Sequence, residues 1–311
     1  MSNKYLSIIV PLFNEEESIL PLYESIVRTI DPLNVRYEIL FVDDGSKDRT
    51  FFKARELAHK DNRLRVIRFR KNYGQTAAMT AGIDQARGDI LVTMDGDLQN
   101  DPGDIPEFIK KIREGYDIVC GWRHKRQDKL ISRRIPSVVA NWIIGKITGV
   151  PIKDNGCSLK AYRGEIIKSI PLYSDMHRFI PAMTSLAGTR VAEIKVNHHP
   201  RRFGVSKYGI SRIYKVMIDL LVIKTLLSFA TRPQHLFGAT GVIALTAGML
   251  LLLESLSGIF EGPIEMNFML GSGAMLFGIL SIFCLLVGLL CELILKAGKF
   301  KDFSHLKASA E

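Results

Sequence analysis

Three groups of residues able to do acid, base or ligand chemistry each follow an apolar run. Pro11, Phe13, Asn14 and Glu15 come after the run 6–10, Asp43 and Asp44 after 37–42, and Asp95, Asp97 and Gln99 after 90–94. Singly, each group is ordinary turn chemistry, because Asp, Asn and Gly satisfy nearby backbone groups. Jointly they say more. Carboxylates at three successive strand ends converge on one edge of a sheet and repel one another unless a cation sits among them. Oxygen ligands of the Asp and Gln kind suit Mg²⁺ or Mn²⁺, and Mg²⁺ completes its shell with phosphate oxygens and water. The edge is therefore expected to hold a metal–diphosphate.

Cations able to meet a phosphate are Arg123, Arg126, Arg201, Arg202 and Lys207. The stretch 198–208 joins the last three to the Ser206 hydroxyl and a flexible Gly204. His198 and His199 are adjacent and face different ways, so they do not read as a metal pair. The sequence holds neither GxGxxG after the first run nor GxxxxGK[ST] anywhere, which disfavours nicotinamide dehydrogenases and P-loop NTPases. A diphosphate would be neutralised by metal and side chains instead.

The elements that must position these groups alternate. Strands are predicted at 6–10, 37–42, 64–69, 90–94 and 117–120. Helices are predicted at 18–30, from Asp48 to about 58, at 75–86, and from the Asp101-Pro102 cap onward. The class is α/β, with a mostly parallel sheet and right-handed crossovers. Ligands then bind outside the carboxyl ends of the strands, where the three groups lie.

Charge separates a second part. The 311-residue chain carries +10, yet 235–295 contains no Lys or Arg and four Glu, so the rest of the chain carries +14. Within that stretch, 237–253 and 268–291 are uncharged and long enough to cross a ~30 Å hydrocarbon core. The connection 257–267 is short and acidic. Lys224 and Arg232 precede the first span, and Lys296, Lys299 and Lys301 follow the second, so the positive-inside rule places both termini and the large N-terminal part in the cytoplasm of a multi-pass plasma-membrane protein. Met1 to Tyr5 leads straight into a strand-like run, so no signal peptide is expected. Glu254 falls near the outer end of the first span, where it is expected to be partly solvated. The segments 131–150 and 210–229 mix cations with apolar residues at helical spacing, the pattern of interfacial amphipathic helices. A basic face against a lipid bilayer accounts for the charge without nucleic acid. Four Cys with no paired spacing exclude a disulfide scaffold, and Cys120 and Cys157 are expected as free thiols. Cys284 and Cys291 read as packing residues of the second span. The expected organisation is an α/β core at 1–130, a region at 131–230 that carries the interfacial helices, two spans within 231–298, and a basic tail at 299–311. Glycines such as Gly238, Gly241, Gly248, Gly271, Gly273 and Gly278 could join helices within one chain or between copies, and a homo-oligomer is expected.

Five segments in order, SIIVPLFNEEESI at 7–19, FVDDGSKDRT at 41–50, NYGQTAAMTAGIDQARGDILVTMDGDLQNDP at 72–102, DNGCSLKAYR at 154–163 and RFGVSKY at 202–208, resemble glycosyltransferase family 2. They look most like its polyprenyl-phosphate branch, which includes dolichyl-phosphate mannose synthases and bactoprenol glucosyl transferases. The resemblance implies a GT-A fold, a nucleotide-sugar donor, a polyprenyl phosphate acceptor such as undecaprenyl phosphate, and Mg²⁺ or Mn²⁺. Carried over by position, it implies that Pro11, Phe13, Asn14, Glu15, Asp43 and Asp44 hold the donor and that Asp95, Asp97 and Gln99 form a DxD-type metal site. Arg123, Arg126, Arg202, Ser206 and Lys207 would grip phosphate, with Asp97, Arg202 and Lys207 assisting departure of the diphosphate. Asp154 would lie beside the acceptor. The processive QxxRW motif is absent, which argues for transfer of a single sugar. The chemistry is expected to be in-line displacement at the anomeric carbon, with inversion. UDP-glucose is the expected donor. GDP-mannose, UDP-galactose and UDP-4-amino-arabinose remain alternatives, and a non-catalytic nucleotide-sugar-binding scaffold is the reading from another class. A phosphate monoester with a second pKa of ~6 is already mostly dianionic near neutrality. Asp154 is therefore expected to orient the acceptor or remove a residual proton.

Overall fold

The computed structural model describes residues 5–124, 145–146, 150–170, 177, 179–185, 188–200, 233–258 and 264–297. The chain forms two compact units, Met1–Leu220 and Leu221–Glu311. The first contains β1 (Leu6–Leu12), α1 (Ile19–Ile30), β2 (Tyr37–Asp43), α2 (Thr50–Lys60), β3 (Leu64–Arg68), α3 (Gln75–Gln85), β4 (Ile90–Thr93), α4 (Ile105–Arg113), β5 (Ile118–Trp122), β6 (Lys160–Arg163), α5 (Gly164–Lys168), α6 (Ile180–Ser185) and β7 (Val191–Lys195). The seven strands form one sheet in the order β3-β2-β1-β4-β6-β5-β7. Every pairing is parallel except those of β6, which runs antiparallel to β4 and β5.

Strands covered on both faces need near-continuous apolar sequence. β1 and β2 supply it, and every residue of β2 is buried. Alternation along β1 feeds two cores. Ile8, Val10 and Leu12 pack with Ile19, Leu22 and Ile26 of α1 and with Phe108 and Ile112 of α4. Ile9 faces the other way, with Met79 and Ile83 of α3. Burying each such side chain contributes about 1.5–3 kcal/mol.

The five expected strands and the helices at 18–30, 50–60 and 75–85 form close to where the apolar patterns place them. α2 starts at Thr50, slightly after the expected cap, but the Asp48 carboxylate still accepts the Thr50 N–H at 2.9 Å. Asp101 caps a short 3₁₀ turn, Pro102–Asp104, by accepting from the Gly103 N–H, and α4 follows. The sequence reading does not contain β6 or β7. Both are short and carry charges, so their strand state comes from pairing with β4 and β5 rather than from an apolar run. They bring residues of the 131–230 region into the same sheet as the core. The expected interfacial helices fall almost wholly outside the described residues.

The second unit contains α7 (Pro233–Gly258) and α8 (Ile264–Ala297), both long and apolar enough to cross a membrane. Their larger apolar side chains point outward, Phe268 being 76% exposed, as suits helices whose solvent is hydrocarbon. Between them the contact is made by small residues. A Cβ on Gly248 would meet the Ala274 carbonyl oxygen at 3.1 Å, and one on Gly241 the Ser281 carbonyl oxygen at 3.2 Å. Ser255 Oγ donates to the Asn267 carbonyl at 2.9 Å. These glycines thus serve packing within the chain, whereas a Cβ on Gly238 or Gly278 would meet nothing.

Two predictions follow from packing in the first unit. Gly45 has φ +69°, and a Cβ there would lie 2.4 Å from the Lys71 carbonyl carbon. Gly45→Ala is expected to cost about 2–4 kcal/mol of stability, read as a lowered unfolding midpoint of the detergent-solubilised protein. Burial pushes the thiols of Cys120 and Cys157 up to about 12. Iodoacetamide at pH 8 should leave both unmodified in the native protein and alkylate both after denaturation, as peptide mapping would show.

Candidate active site

The loops after β1 and β2 are bonded into one platform. The Asn14 N–H donates to Ser46 Oγ at 2.9 Å, and Asn14 Oδ1 accepts from the Lys47 N–H at 2.9 Å. The Glu15 N–H donates to Thr50 Oγ1, and Glu15 Oε2 accepts from Ser18 Oγ. Asn14 sits at φ 54°, a left-handed conformation that Asn tolerates better than most residues. Pro11 and Phe13 are half-buried alongside. Asp43, at the end of β2, is fully buried. Its Oδ1 accepts the Ser46 N–H at 3.1 Å. Its Oδ2 makes no hydrogen bond, although Arg68 Nε lies at ion-pair distance, 3.5 Å. Asp44 is committed differently. Its two oxygens accept the Tyr73 and Gly74 N–H groups at 2.7 and 2.9 Å, which fixes the entry to α3. Burial raises its carboxyl pKa, the adjacent Asp43 adds to the rise, and the two N–H donors offset only part of it.

The Asp95-Gly96-Asp97 turn follows β4, next to β1. Asp95 Oδ1 accepts from Gln75 Nε2 at 2.6 Å, so the first residue of α3 orients it. Asp97 is buried, with Oδ1 accepting the Gln99 N–H at 3.1 Å. Leu98 between them adopts φ 63°, a costly conformation for a side chain of its size. A Cβ on Gly96 would lie 2.5 Å from Leu12 Cδ2, so the turn presses against the end of β1. Among the described residues no three His, Cys, Asp or Glu side chains form a ready metal cage. The Asp95–Asp97 pair still offers the one or two carboxylates that Mg²⁺ ordinarily takes.

A strap from the end of β7 lies along this turn. Asn100 and His198 form a β-bridge, and the His199 N–H donates to the Gln99 carbonyl at 2.9 Å. Gln99 Nε2 reaches the His199 carbonyl at 3.5 Å. His199 Nε2 stands 3.2 Å from Asp101 Oδ2, and Asn197 is held twice by Asp104. His198 is thus engaged through its backbone, and His199 through both its N–H and its ring. Residues 197–199 are fastened beside Asp97–Gln99 just before the basic segment begins. Arg126, Arg201, Arg202, Ser206 and Lys207 lie outside the described residues.

Asp154 and Arg123 form a bidentate ion pair: Nε to Oδ2 at 2.7 Å and Nη2 to Oδ1 at 2.8 Å, with the Arg123 N–H also directed at Oδ2 at 3.2 Å. Burial works against the guanidinium charge, but Asp154, helped by Asp95, raises its pKa above the ordinary value. Glu193 of β7 accepts the N–H groups of Lys153 and Asp154, and burial raises its own pKa. A pocket lies where the order of the sheet reverses between β1 and β4. It is lined by Pro11, Gln75, Met79, Thr93, Met94, Asp95, Cys157, Ser158, Lys160, Tyr162 and His177. Sequence reasoning did not single out Gln75, Lys160, His177 or Glu193. Gln75 and Lys160 stand inside the quoted motifs, so their motif membership was a usable signal. Only folding reveals that the other two face the site.

The profile of glycosyl transferase family 2 matches residues 7–170, and the chain belongs to that family. It is 48% identical over 252 residues to a dodecaprenyl-phosphate galacturonate synthase of Rhizobium johnstonii, covering 80% of this chain and 75% of that protein. It is 38% identical over 247 residues to an undecaprenyl-phosphate 4-deoxy-4-formamido-L-arabinose transferase of Proteus mirabilis, covering 79% and 74%. Glucosyl-3-phosphoglycerate synthase of Mycobacterium tuberculosis, solved with Mn²⁺, UDP and glucosyl-3-phosphoglycerate, superposes at TM-score 0.53 and 19% identity, covering 72% of this chain and 79% of that one. That likeness confirms the expected GT-A type of fold.

Removing the charge of Asp154 while keeping its shape tests the ion pair. Asp154→Asn is expected to slow sugar transfer about 100-fold, since a buried charge pair loses one partner, and to leave nucleotide affinity within about threefold. Titration calorimetry with nucleotide and initial-rate kinetics give the two numbers. Equal losses in both would contradict an acceptor-side role for Asp154.

Proposed function

We propose that the protein transfers a single sugar, with inversion, from a nucleotide sugar to a polyprenyl phosphate at the cytoplasmic face of a membrane. The observation that carries this reading is the arrangement at the β1–β4 reversal point. The acidic turn follows β4, the pocket opens at that point, and an arginine held by a buried carboxylate follows β5. Support for the acceptor comes from the two relatives, both named for a polyprenyl phosphate. The α7–α8 hairpin suits the same acceptor, because it would keep the catalytic unit where a lipid-tailed phosphate presents its headgroup. The gain is proximity and orientation. Flanking cations support the cytoplasmic orientation.

On the donor side, the buried Asp43 Oδ2 is an acceptor in need of a donor. One N–H on the ring of a pyrimidine base would supply it, which favours a uridine donor. Phe13 and Pro11 would flank the base, and Asn14 and Glu15 hold their loop in place. Asp44 contributes by fixing the 73–74 turn and, through it, the start of α3. Asp95, Asp97 and Gln99 would hold a Mg²⁺ or Mn²⁺ ion, which when bound stabilises the charge that develops on a departing diphosphate. Gln75 holds Asp95, and the Gln99 N–H holds Asp97, so both carboxylates are oriented in advance. Arg123, kept charged and aimed by Asp154, would grip the acceptor phosphate. That ion pair makes Asp154 a poor proton acceptor and suits it to orienting, which is sufficient for an acceptor that is already mostly dianionic. Arg126, Arg202, Ser206 and Lys207 remain assigned to phosphate. The strap at 197–199, which precedes the last three in the chain, lies beside the acidic turn.

Glucose, the sugar expected from the sequence, is not what either relative is named for. The aminoarabinose-type alternative accords with the Proteus protein, and a uronic acid with the Rhizobium protein. A donor panel decides. Purified protein in detergent, undecaprenyl phosphate and Mg²⁺ or Mn²⁺ would be offered UDP-glucose, UDP-galacturonate, UDP-4-amino-arabinose and GDP-mannose separately. One donor should give an acid-labile glycolipid. EDTA should abolish its formation, and Asp97→Asn should reduce the rate about 100- to 1000-fold. Tight nucleotide binding with no product from any donor would favour the non-catalytic scaffold.

A further inference from the structure

Asp154 is held from two sides. Its carboxylate takes the Nε and Nη2 donors of Arg123, which leaves the Nη1 edge of the guanidinium for an acceptor phosphate. Its backbone is held from β7. Glu193 Oε1 accepts the N–H groups of Lys153 at 2.9 Å and of Asp154 at 3.1 Å, two successive donors on one oxygen. Glu193 stands opposite Cys120 in the β5–β7 pairing, and β5 runs on directly into Arg123. The three segments therefore close on one another. Arg123 reaches Asp154, the backbone of Asp154 rests on Glu193, and β7 bonds back to β5. Lys153 adds a tie, its Nζ lying 4.2 Å from the centre of the Trp122 ring. The space is tight, since a Cβ on Gly156 would stand 3.2 Å from Arg123 Nη2.

Packing alone does not ask for a carboxylate at 193. Ala192 and Ile194 pack against one core, and Val191 against the other, where Val150 and Ile152 also lie. Strand alternation puts Glu193 on the face of Val191. Burial there works against its charge and raises its pKa, and its two N–H donors offset part of the rise. An apolar side chain would continue the row without losing hydration, but it could accept neither N–H.

We propose that Glu193 is a positioning residue for sugar transfer: it fixes the backbone at 153–154, so that Asp154 presents the remaining edge of Arg123 to the acceptor phosphate. The inference rests on the acceptor-side reading of Arg123 and Asp154 and adds the residue that sets their geometry. A guanidinium is planar and its donors are fixed to it, so a tilt of the Asp154 carboxylate turns the whole fork. Misplacing a group at the reacting centre by about 1 Å is enough to lower a rate ~100-fold. The role needs an acceptor oxygen at 193 rather than a charge. The charge of Glu193 is favoured by Lys153 and opposed by Asp154, so the amide of Gln, with the same oxygen, is a sufficient substitute.

The test uses full-length protein in detergent, undecaprenyl phosphate, and whichever of UDP-glucose, UDP-galacturonate, UDP-4-amino-arabinose and GDP-mannose the wild type accepts. Glu193→Ala should lower kcat/KM for the polyprenyl phosphate about 10- to 100-fold. By calorimetry its affinity for UDP or GDP should stay within about threefold of wild type. Glu193→Gln should keep activity within about threefold of wild type. Combined with Asp154→Asn, Glu193→Ala should add no further loss, since a group that acts through Asp154 then has nothing left to position. Losses that multiply in the double variant would overturn the proposal, because Glu193 would be acting independently of Asp154. A Glu193→Gln variant as slow as Glu193→Ala would overturn it too, by showing that the charge is what matters. Nucleotide affinity lost in step with rate would mark a general disturbance of the fold and reject it as well. Should Glu193→Ala fail to fold, Glu193→Leu, which refills the apolar row, takes its place with the same expectations. No glycolipid from the wild type with any of the four donors would sink the parent reading, and this one with it.

Discussion

The position of β1 in the middle of the sheet is the constraint on which the catalytic unit depends. β2 lies on one side of it and β4 on the other, so the chain leaves neighbouring strand ends in opposite directions and opens a crevice between them. Among the described residues, Pro11, Gln75, Thr93 and Asp95 line the pocket there. Moving β4 to any other place in the order would separate Asp95 and Asp97 from Pro11 and Asp43. The two apolar cores hold β1 there from both faces, which is why its residues are buried almost without exception.

Around this crevice the carboxylates are handled in four different ways. Asp44 is consumed by two backbone N–H groups and becomes part of the scaffold. Asp43 keeps one buried oxygen without a hydrogen bond, which is a cost the fold bears at a binding site. Asp95 and Asp97 are each steered by an amide on one oxygen. Asp154 is neutralised by Arg123 in a geometry that orients both. The same residue type thus ends in four different environments, and the partners decide which. Sequence spacing treated Asp43 and Asp44 alike. Their hydrogen bonds separate them.

The α7–α8 hairpin obeys a different solvent rule. Its small residues face each other and its large apolar ones face outward, the inverse of the catalytic unit. In hydrocarbon no apolar driving force joins two helices, so close backbone approach at Gly241 and Gly248 does that work instead. Gly241 and Gly248 thus serve contacts within the chain.

The sequence by itself determined the α/β alternation, the first five strands, the placement of the acidic turns at strand ends, the two apolar helices and the family. All of these rest on local patterns: apolar runs, caps, charge depletion over a span, and ordered motifs. Tertiary structure decided what depends on partners distant in the chain. β6 and β7 are strands because β4 and β5 bond to them, since neither has an apolar run of its own. Arg123 and Asp154 are far apart in sequence, and nothing in their spacing shows that the expected phosphate ligand and the expected acceptor residue grip each other. Lys160 looks like a surface cation in a polar segment. Only its pairing opposite Thr93, on the face covered by α3, turns it inward. Hydrogen bonds and burial across a sheet are set by which strands become neighbours, and linear spacing carries almost no information about that.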